Sequence, residues 1–185
     1  MRIISGQRRG LKLNTLEGEN TRPTLDRVKE SLFNILMAKG VDYENILDLF
    51  AGSGNLGLEA LSRGGEFAVF CDNSSKACEV IRENIEKCKF SDKSKVLNLE
   101  YKKALEKLVN ENIKFDIIFL DPPYNKGFGV DAIELISKFN LLNENGYIIL
   151  ETNIEENIPH NIGKFNLCDE REYGIVKISI FNWKE

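Results

Sequence analysis

An apolar run near the middle of the chain ends abruptly in Asp-Pro-Pro-Tyr, residues 121–124. An exocyclic amine on a nucleobase is a poor nucleophile, because its lone pair is delocalised into the ring. The Asp121 carboxylate and the Pro122 carbonyl can each accept one amine hydrogen and turn that lone pair toward an electrophilic methyl group. Pro123 stiffens the turn, and the Tyr124 ring offers a face on which the base can stack. Two prolines can also simply stop a strand, but the residues around them predict methyl transfer to a base amine.

The stretch DLFAGSGNLG, which begins at Asp48, places Gly52, Gly54 and Gly57 in the spacing G-x-G-x-x-G. With Asp72 twenty residues after Gly52, this is the fingerprint of a dinucleotide-binding turn, and by itself it favours NAD. A carboxylate directly before the turn would repel a pyrophosphate, whereas it suits a ligand with an ammonium and a sulfonium. Asp48 therefore predicts S-adenosylmethionine as the cofactor, with Asp72 accepting hydrogen bonds from its ribose hydroxyls. The alternatives are a turn without ligand and an Asp72 that only caps the next helix.

Alternating strands and helices must position both motifs. Short apolar runs indicate strands, and apolar positions that recur every three or four residues indicate helices. The predicted series is ILDLF (strand), NLGLEALSR (helix), FAVFCD (strand), SSKACEVIRENIEKC (helix), VLNLE (strand), ALEKLVNEN (helix), FDIIFL (strand), a helix around Ala132 to Phe139, and YIILE (strand). Each crossover carries its own helix, which predicts parallel pairing. Two strand-like runs joined near Tyr173 and Gly174 predict a final antiparallel hairpin.

The predicted fold class is α/β, a Rossmann-like class I S-adenosylmethionine-dependent methyltransferase. Its sheet is expected to be mostly parallel and seven-stranded, with the C-terminal antiparallel hairpin at one edge. Ligands of such a sheet bind outside the carboxyl ends of its strands. FDIIFL is the fourth strand of the series, and residues 121–124 follow it directly. Asp121 is therefore expected to face the same crevice as the glycine turn.

A preface to this series forms the first part of the chain. RIISGQ and LKLNT, on either side of Gly10, predict a small β-hairpin. The stretch TRPTLDRVKESLFNILMAKG predicts a helix capped by Thr24 and ended by Gly40. The apolar face of this helix comprises Val28, Leu32, Ile35 and Leu36. Residues 1–40 are expected to be part of the same unit as the methyltransferase domain, residues 41–185.

Charge is distributed unevenly along the 185 residues, whose net charge is −4. Residues 1–13 contain four basic residues and no acidic one, so the remainder of the chain carries −8. A basic arm on an acidic body is typical of a surface that binds phosphates. Arg8, Arg9 and Lys12 are the predicted contacts, and a solvated basic hairpin is an equally weighted alternative from charge alone.

Neither a metal site nor a disulfide framework is expected. Cys71, Cys78, Cys88 and Cys168 form no C-x-x-C pair, and His160 is the only histidine. No apolar run approaches the ~18 residues that a membrane span requires, and the N-terminus lacks the apolar region of a signal peptide. A soluble cytoplasmic protein without a membrane partner is therefore expected, and it is expected to be a monomer.

Four elements, RGLKL, TRPTLDRVKESLFN, LDLFAGSGNLGLEALSRG and DPPY, in this order and spacing, resemble the RsmD family of bacterial ribosomal RNA methyltransferases. The resemblance spans nearly the whole chain. It implies methylation of the exocyclic N2 amine of a guanine in 16S ribosomal RNA, in the small ribosomal subunit or an assembly intermediate. DPPY alone is shared with DNA amine methyltransferases, so that motif indicates a chemistry rather than a substrate.

The resemblance also implies roles for individual residues. The base would be held by Asp121, Pro122, Pro123 and Tyr124. The cofactor would be bound by Asp48, Phe50, Gly52, Gly54, Asp72, Asn73, Glu100 and Tyr101. Arg22, Pro23 and Thr24 would border the active site, and Arg22 and Thr24 join Arg8, Arg9 and Lys12, which are predicted from charge, as candidate RNA contacts. After the third strand the family often has a small Asn-Ala or Asp-Ala pair near the adenine, whereas this chain has Glu100 and Tyr101.

Three other functions stay open at this level. An NAD-linked oxidoreductase would account for the glycine turn, but it leaves DPPY and the basic preface unexplained. A DNA adenine amine methyltransferase would share DPPY, but no segment is large enough for a typical sequence-reading domain. A non-catalytic ribosome-binding module with the same fold would need neither an intact cofactor turn nor an intact DPPY.

Overall fold

The computed structural model describes residues 1–16 and 23–184, with the side chains of residues 23–25 outside that description. Within this part of the chain, one mixed sheet is combined with five α-helices. The helices are α1 (Pro23–Ala38), α2 (Asn55–Ser62), α3 (Ser75–Cys88), α4 (Tyr101–Asn110) and α5 (Phe128–Phe139). The strands are β1 (Asn45–Asp48), β2 (Phe67–Asp72), β3 (Ser94–Asn98), β4 (Phe115–Leu120), β5 (Leu142–Asn153), β6 (Asn161–Ile162), β7 (Phe165–Tyr173) and β8 (Val176–Trp183).

The strands are arranged in the order β3-β2-β1-β4-β5-β8-β7-β6. Strands β1 to β5 pair in parallel, whereas β8 pairs antiparallel with β5 and with β7. The predicted series of strands and the C-terminal hairpin are therefore confirmed. The two-residue strand β6, paired antiparallel with β7, is an addition that the sequence did not predict. Two residues are too few to show a strand periodicity.

Helices cover both faces of the sheet, and each face has its own hydrophobic cluster. The first cluster joins α1, α2 and α3 to the sheet, and the second joins α4 and α5 to the opposite face. Neighbouring residues of β1 belong to different clusters, with Ile46 in the first and Leu47 in the second. Both are fully buried. A central strand that is buried on both faces is apolar at nearly every position, as ILDLF is apart from Asp48.

The chain order reverses at the boundary between β1 and β4. From β1 the chain proceeds to β2 and β3 on one side, and β4 and β5 then extend the sheet on the other side. Crossover connections leave in opposite directions at such a point, so a crevice opens at the carboxyl ends of the two strands. Asp48 ends β1, and Asp121 follows the last residue of β4.

Residues 1–14 form an N-terminal arm that is folded back on itself. Arg2 and Lys12 form an antiparallel bridge, and the Ile3 amide donates to the Leu11 carbonyl at 2.9 Å. Gly10 has a φ of 84°, which is the positive angle expected of it. The predicted hairpin is therefore confirmed, although its strands are paired only at this bridge. The connection between them contains a 3-10 turn at Gly6–Arg8.

Buried polar side chains attach the N-terminal arm to α2 and α3. The Glu59 carboxylate accepts the amides of Ile4 and Ser5 at 2.8 and 3.0 Å. Asn84, which is fully buried, accepts the Asn14 amide at 2.7 Å. These bonds give the arm a fixed position beside the glycine turn, because Asn84 also donates to the Ser53 carbonyl at 2.9 Å.

Helix α1 begins at Pro23, so Thr24 lies inside the helix rather than at the predicted capping position. Proline is favoured at the first helical position, where its missing amide hydrogen is not needed. The predicted apolar face is confirmed in the main, with Val28, Leu32 and Leu36 buried. In the described part of the chain, no helix has both the length and the hydropathy of a membrane span.

Candidate active site

A cavity of about 700 Å³ opens at the carboxyl ends of β1, β2, β4 and β5. It brings together most of the residues that the sequence predicts for cofactor and base binding. Those that line it are Asp48, Phe50, Gly52, Asp72, Asn73, Glu100, Tyr101, Asp121, Pro122, Pro123 and Tyr124. Parallel strands bring their carboxyl ends to one edge of a sheet, which is why residues far apart in sequence meet here.

The glycine turn is held between the two strands that flank β1. The Leu49 amide donates to the Phe119 carbonyl of β4 at 3.1 Å, and the Ala51 amide donates to the Cys71 carbonyl of β2 at 2.9 Å. Gly54, the residue before α2, has a φ of 80°, a conformation that favours glycine. Gly54 does not line the cavity, and its positive φ shapes the turn that leads into α2.

Asp48 lies beneath this turn and is 2% exposed. Its Oδ2 accepts the Gly57 amide of α2 at 3.0 Å. Burial raises the pKa of Asp48 to about 7, although the hydrogen bond from Gly57 acts in the opposite direction. A carboxylate therefore already occupies the first turn of α2, where a dinucleotide pyrophosphate would have to bind. This arrangement fits a ligand with a positive charge, as S-adenosylmethionine has, better than it fits NAD.

Gly57 is needed at this position for a steric reason. A Cβ atom there would lie 2.4 Å from the Phe70 ring of β2. The third glycine of the turn thus allows α2 to pack closely on the sheet. This close packing also holds the Gly57 amide within hydrogen-bonding distance of Asp48.

Asp72, at the end of β2, is held by two backbone amides. Its Oδ2 accepts the Gly52 amide at 3.0 Å, and its Oδ1 accepts the Ser74 amide at 2.9 Å. The cap of α3 is Ser74, whose hydroxyl accepts the Ala77 amide at 3.2 Å. Because a carboxylate has about four acceptor sites, two ribose hydroxyls can be added to these bonds.

Three aromatic rings enclose the far end of the cavity. The Tyr101 ring centroid lies 5.2 Å from that of Phe50 and 5.6 Å from that of Phe128. The Tyr101 hydroxyl donates to Asp131 at 2.5 Å, which joins α4 to α5. Glu100 caps α4 by accepting the Lys102 amide at 3.0 Å. The three rings pack on one another and form an aromatic wall at this end of the cavity.

Residues 121–124 line the other end of the cavity. Pro122 is buried, whereas Asp121 and Pro123 are exposed at its mouth. The Tyr124 hydroxyl donates to Oε1 of Glu151 at 3.0 Å. Burial, together with the charges of Glu151 and Asp121, raises the pKa of Tyr124, so its phenol keeps its proton.

Sequence reasoning missed two charged residues of the cavity. Glu151 follows the apolar run of β5 in the same way as Asp72 follows that of β2, so the signal was present. Lys29 is a different case, because a lysine on a helix is usually solvated. Its ammonium is buried in an ion pair with Glu59 at 3.1 Å, and burial lowers its pKa.

Lys29 also connects the N-terminal arm to the glycine turn. Its Nζ donates to the Arg2 carbonyl at 2.6 Å and to Oδ1 of Asn55 at 2.7 Å. Asn55 is the first residue of α2. Lys29 and Asn55, which hold the arm in position, also line the cavity beside the glycine turn.

The predicted RNA-binding residues have different environments. Arg9 and Lys12 are exposed on the N-terminal arm. Arg8 is half-buried, and its Nε donates to the Cys88 carbonyl at the end of α3 at 2.6 Å. Arg22 lies outside the described residues, as does the side chain of Thr24. Within the described ranges, no group of His, Cys, Asp or Glu side chains forms a metal-ligating cluster.

The sheet order, the glycine turn and the strand-end carboxylates define a class I S-adenosylmethionine-dependent methyltransferase. Solved structures share the fold. A conserved hypothetical protein of Streptococcus pyogenes is 34% identical, with a TM-score of 0.76 over 84% of this chain and 95% of its own. The Thermus thermophilus 16S rRNA N2 G1207 methyltransferase RsmC, solved with AdoMet and guanosine, has a TM-score of 0.67 at 22% identity, over 92% of this chain and 45% of its own.

The chain belongs to the RsmD family. The family model described as "Conserved hypothetical protein 95" matches residues 1–182. The Ribosomal RNA small subunit methyltransferase D of Haemophilus influenzae is 37% identical over 184 residues, which cover 98% of this chain and 93% of that protein. The Escherichia coli K12 protein of the same name is 34% identical over 181 residues, which cover 98% and 89%.

Proposed function

We propose that this protein transfers a methyl group to the exocyclic N2 amine of a guanine in 16S ribosomal RNA. One observation carries the proposal: Asp121, Pro122 and Tyr124 share a cavity with the glycine turn. The relatives named above as small-subunit rRNA methyltransferases support the choice of RNA. A small ribosomal subunit or an assembly intermediate is the proposed substrate, and a cytoplasmic monomer is the proposed active form.

The residues of the cofactor end would bind S-adenosylmethionine by charge and by shape. Asp48 would attract the ammonium group, Asp72 would accept the ribose hydroxyls, and Phe50 with Tyr101 would enclose the adenine. S-adenosylmethionine supplies an electrophilic methyl group on a sulfonium when it is bound. The glycine turn fixes where that group lies, because its backbone is tied to β2 and β4 on either side.

At the other end, residues 121–124 would prepare the amine for attack. The Asp121 carboxylate and the Pro122 carbonyl each accept one amine hydrogen, which directs the nitrogen lone pair away from the ring. Asp121 can also take the proton that the nitrogen loses after the new bond has formed. The Tyr124 ring stacks on the base and replaces part of the stacking that the base loses on leaving the RNA. Rate enhancement then comes from positioning and electrostatics.

Nucleoside mass spectrometry of ribosomal RNA tests the proposal. Small subunits from a strain that lacks the gene are incubated with the purified protein and S-adenosylmethionine, and the digested RNA is compared with an untreated sample. We expect N2-methylguanosine to appear at one position in the treated RNA. A parallel incubation with DNA distinguishes the alternative: N6-methyladenine in DNA, with no change in RNA, would contradict the proposal and favour the DNA-modifying enzyme.

Two variants control this assay. Asp121→Ala removes an acceptor at the amine and should abolish most of the signal. Asp92→Ala removes an exposed carboxylate in the turn before β3, at the opposite edge of the sheet, and should leave the signal unchanged. Equal activity of the two variants would show that residues 121–124 are not the site of transfer.

A further inference from the structure

Glu151 is the charged residue of the base end for which the proposed function has no role. Leu120 of β4 and Leu150 of β5 are register partners. Asp121, which directly follows β4, and Glu151, which lies within β5, are therefore at the same level of adjacent parallel strands, with their backbones ~4.8 Å apart. Both line the cavity. Two carboxylates are thus presented side by side to whatever base enters.

The two carboxylates match one edge of guanine. In guanine the exocyclic N2 amine is next to N1–H, so two donors point in the same direction from neighbouring positions. In adenine both ring atoms beside the amine-bearing carbon are without hydrogens, and the neighbouring N1 is an acceptor. A carboxylate placed beside the amine-binding residues would bond to guanine N1–H and would repel the adenine N1 lone pair.

We propose that Glu151 is a specificity-determining residue that accepts the N1–H of the target guanine while Asp121 and Pro122 accept the N2 hydrogens. This inference rests on the proposed function. The Tyr124 hydroxyl occupies one position on Oε1 of Glu151 at 3.0 Å. Since a carboxylate has about four acceptor sites, this bond leaves capacity for the base.

The surroundings of Glu151 strengthen such a contact. The residue is half-buried, and burial raises the pKa of its carboxyl. A desolvated carboxylate gains more from a single donor than an exposed one does, and it loses more when the donor is absent. Discrimination between a base with N1–H and a base without it is expected to be large when Glu151 is ionised.

A base analogue tests the N1 contact. In 2,6-diaminopurine the 2-amino group is retained, N1 is an acceptor without hydrogen, and an amino group replaces the oxygen at position 6, so the assignment to N1 depends on how the ratio between the two bases changes in a variant at Glu151. Subunits reconstituted on ligated rRNA would carry either guanosine or 2,6-diaminopurine riboside at the methylated position, and kcat/KM for methyl transfer would be measured on each. We expect the wild-type enzyme to prefer guanosine by at least ~100-fold.

The decisive variant is Glu151→Gln, whose amide can donate to an unprotonated N1. We expect it to lose activity on guanosine and to shift the guanosine-to-diaminopurine ratio by at least ~100-fold toward the analogue. Tyr124→Phe is the matched control, because it removes the hydroxyl from Glu151 but keeps the carboxylate. We expect this control to retain the wild-type preference for guanosine. If Glu151 only positioned Tyr124, the two variants would change this preference by the same amount.

Each result bears on the inference. Equal wild-type rates on the two bases would overturn the inference without any variant. The inference can therefore be tested even if the Glu151→Gln protein fails to fold. An unchanged ratio in a folded Glu151→Gln, with wild-type cofactor affinity, would also overturn it and would leave Glu151 a positioning residue. If the wild-type enzyme transfers no methyl group to guanine N2, the proposed function itself fails, and the inference fails with it.

Discussion

The two halves of the cavity hold their carboxylates in different ways. In the glycine-turn half, at β1 and β2, Asp48 and Asp72 accept hydrogen bonds from backbone amides. In the base half, at β4 and β5, Glu151 accepts a bond from the hydroxyl of a side chain, Tyr124. Backbone donors are fixed by the fold, whereas a side-chain donor can be exchanged by one substitution. The bonds of Asp48 and Asp72 are thus set by the folding of the backbone, whereas the bond of Glu151 depends on the side chain of Tyr124.

The largest effect that separates the halves is expected for Asp121→Ala. Removal of an acceptor that acts in the transition state should reduce the single-turnover rate of methyl transfer by about 10²- to 10³-fold. The affinity for S-adenosylmethionine, measured by calorimetry, should stay at the wild-type value, because the cofactor half is bonded internally. A loss of affinity as large as the loss of rate would show that the halves are coupled.

Asp48→Asn should have the opposite signature. Loss of a charged acceptor for the cofactor ammonium is worth about 1.5–3 kcal/mol, or roughly 10- to 100-fold in affinity. The asparagine oxygen can still accept the Gly57 amide, so the turn should keep its shape. Without cofactor, the variant should unfold at a higher temperature than the wild type, since a buried charge is removed. Wild-type affinity in a folded variant would contradict the role of Asp48.

The pH dependence of Asp48 provides a second measurement on the same residue. Burial raises its pKa from the ordinary value to about 7 in the folded protein. The stability that this group contributes is therefore complete below the unfolded pKa and is lost as pH rises through about 7. Cofactor affinity should move the other way and fall as pH decreases below 7, because the protonated carboxyl no longer attracts the ammonium. In Asp48→Asn, both of these contributions should be absent.

Substitutions at Tyr124 test whether the base half acts through its ring. Base-aromatic stacking is worth about 1–3 kcal/mol, so Tyr124→Ala should reduce methylation of subunits by roughly 10- to 100-fold. Tyr124→Phe keeps the ring and should retain most of the activity, with a smaller loss from the missing bond to Glu151. If the two variants lose activity equally, the hydroxyl rather than the ring is what matters at this position.

The smallest effect is expected on the N-terminal arm. Arg9→Ala combined with Lys12→Ala should weaken binding to small subunits and reduce the salt dependence, with the slope falling by roughly one for each lost phosphate contact. Lys103→Ala combined with Lys114→Ala removes the same charge from exposed positions elsewhere and is the matched control. An equal change in slope for both pairs would mean that only net charge matters.

Arg8 is best tested alone, because its environment differs from that of Arg9. Its contact with the Cys88 carbonyl and its guanidinium, 5.4 Å from the Phe90 ring centroid, attach the arm to the end of α3. Arg8→Ala should therefore lower thermal stability more than it lowers the salt slope. If Arg8→Ala changed only the salt dependence of subunit binding, Arg8 would be a phosphate contact like Arg9 and Lys12.

The sequence determined the framework of this protein because the relevant signals are local. Alternation of apolar strands with periodic helices predicts a parallel sheet, and the residues that end β1, β2 and β4 therefore meet at one edge. The glycine spacing and the DPPY motif lie within short segments, so their chemistry could be read directly. The two motifs share a cavity because of the strand order. Right-handed crossovers allow only a few strand orders.

The tertiary structure alone decided which polar side chains become partners. Tyr124 and Glu151 are 27 residues apart, and Lys29 and Asn55 are 26 apart, yet each pair is hydrogen bonded. The charge of Arg8 predicts a contact with RNA, but it does not predict the bond of Arg8 to the carbonyl of Cys88, which is 80 residues away in the chain. Hydrogen bonds of this kind depend on positions to a fraction of an ångström. Such positions are set by the packing of whole helices and strands, and the periodicity of the sequence does not predict them.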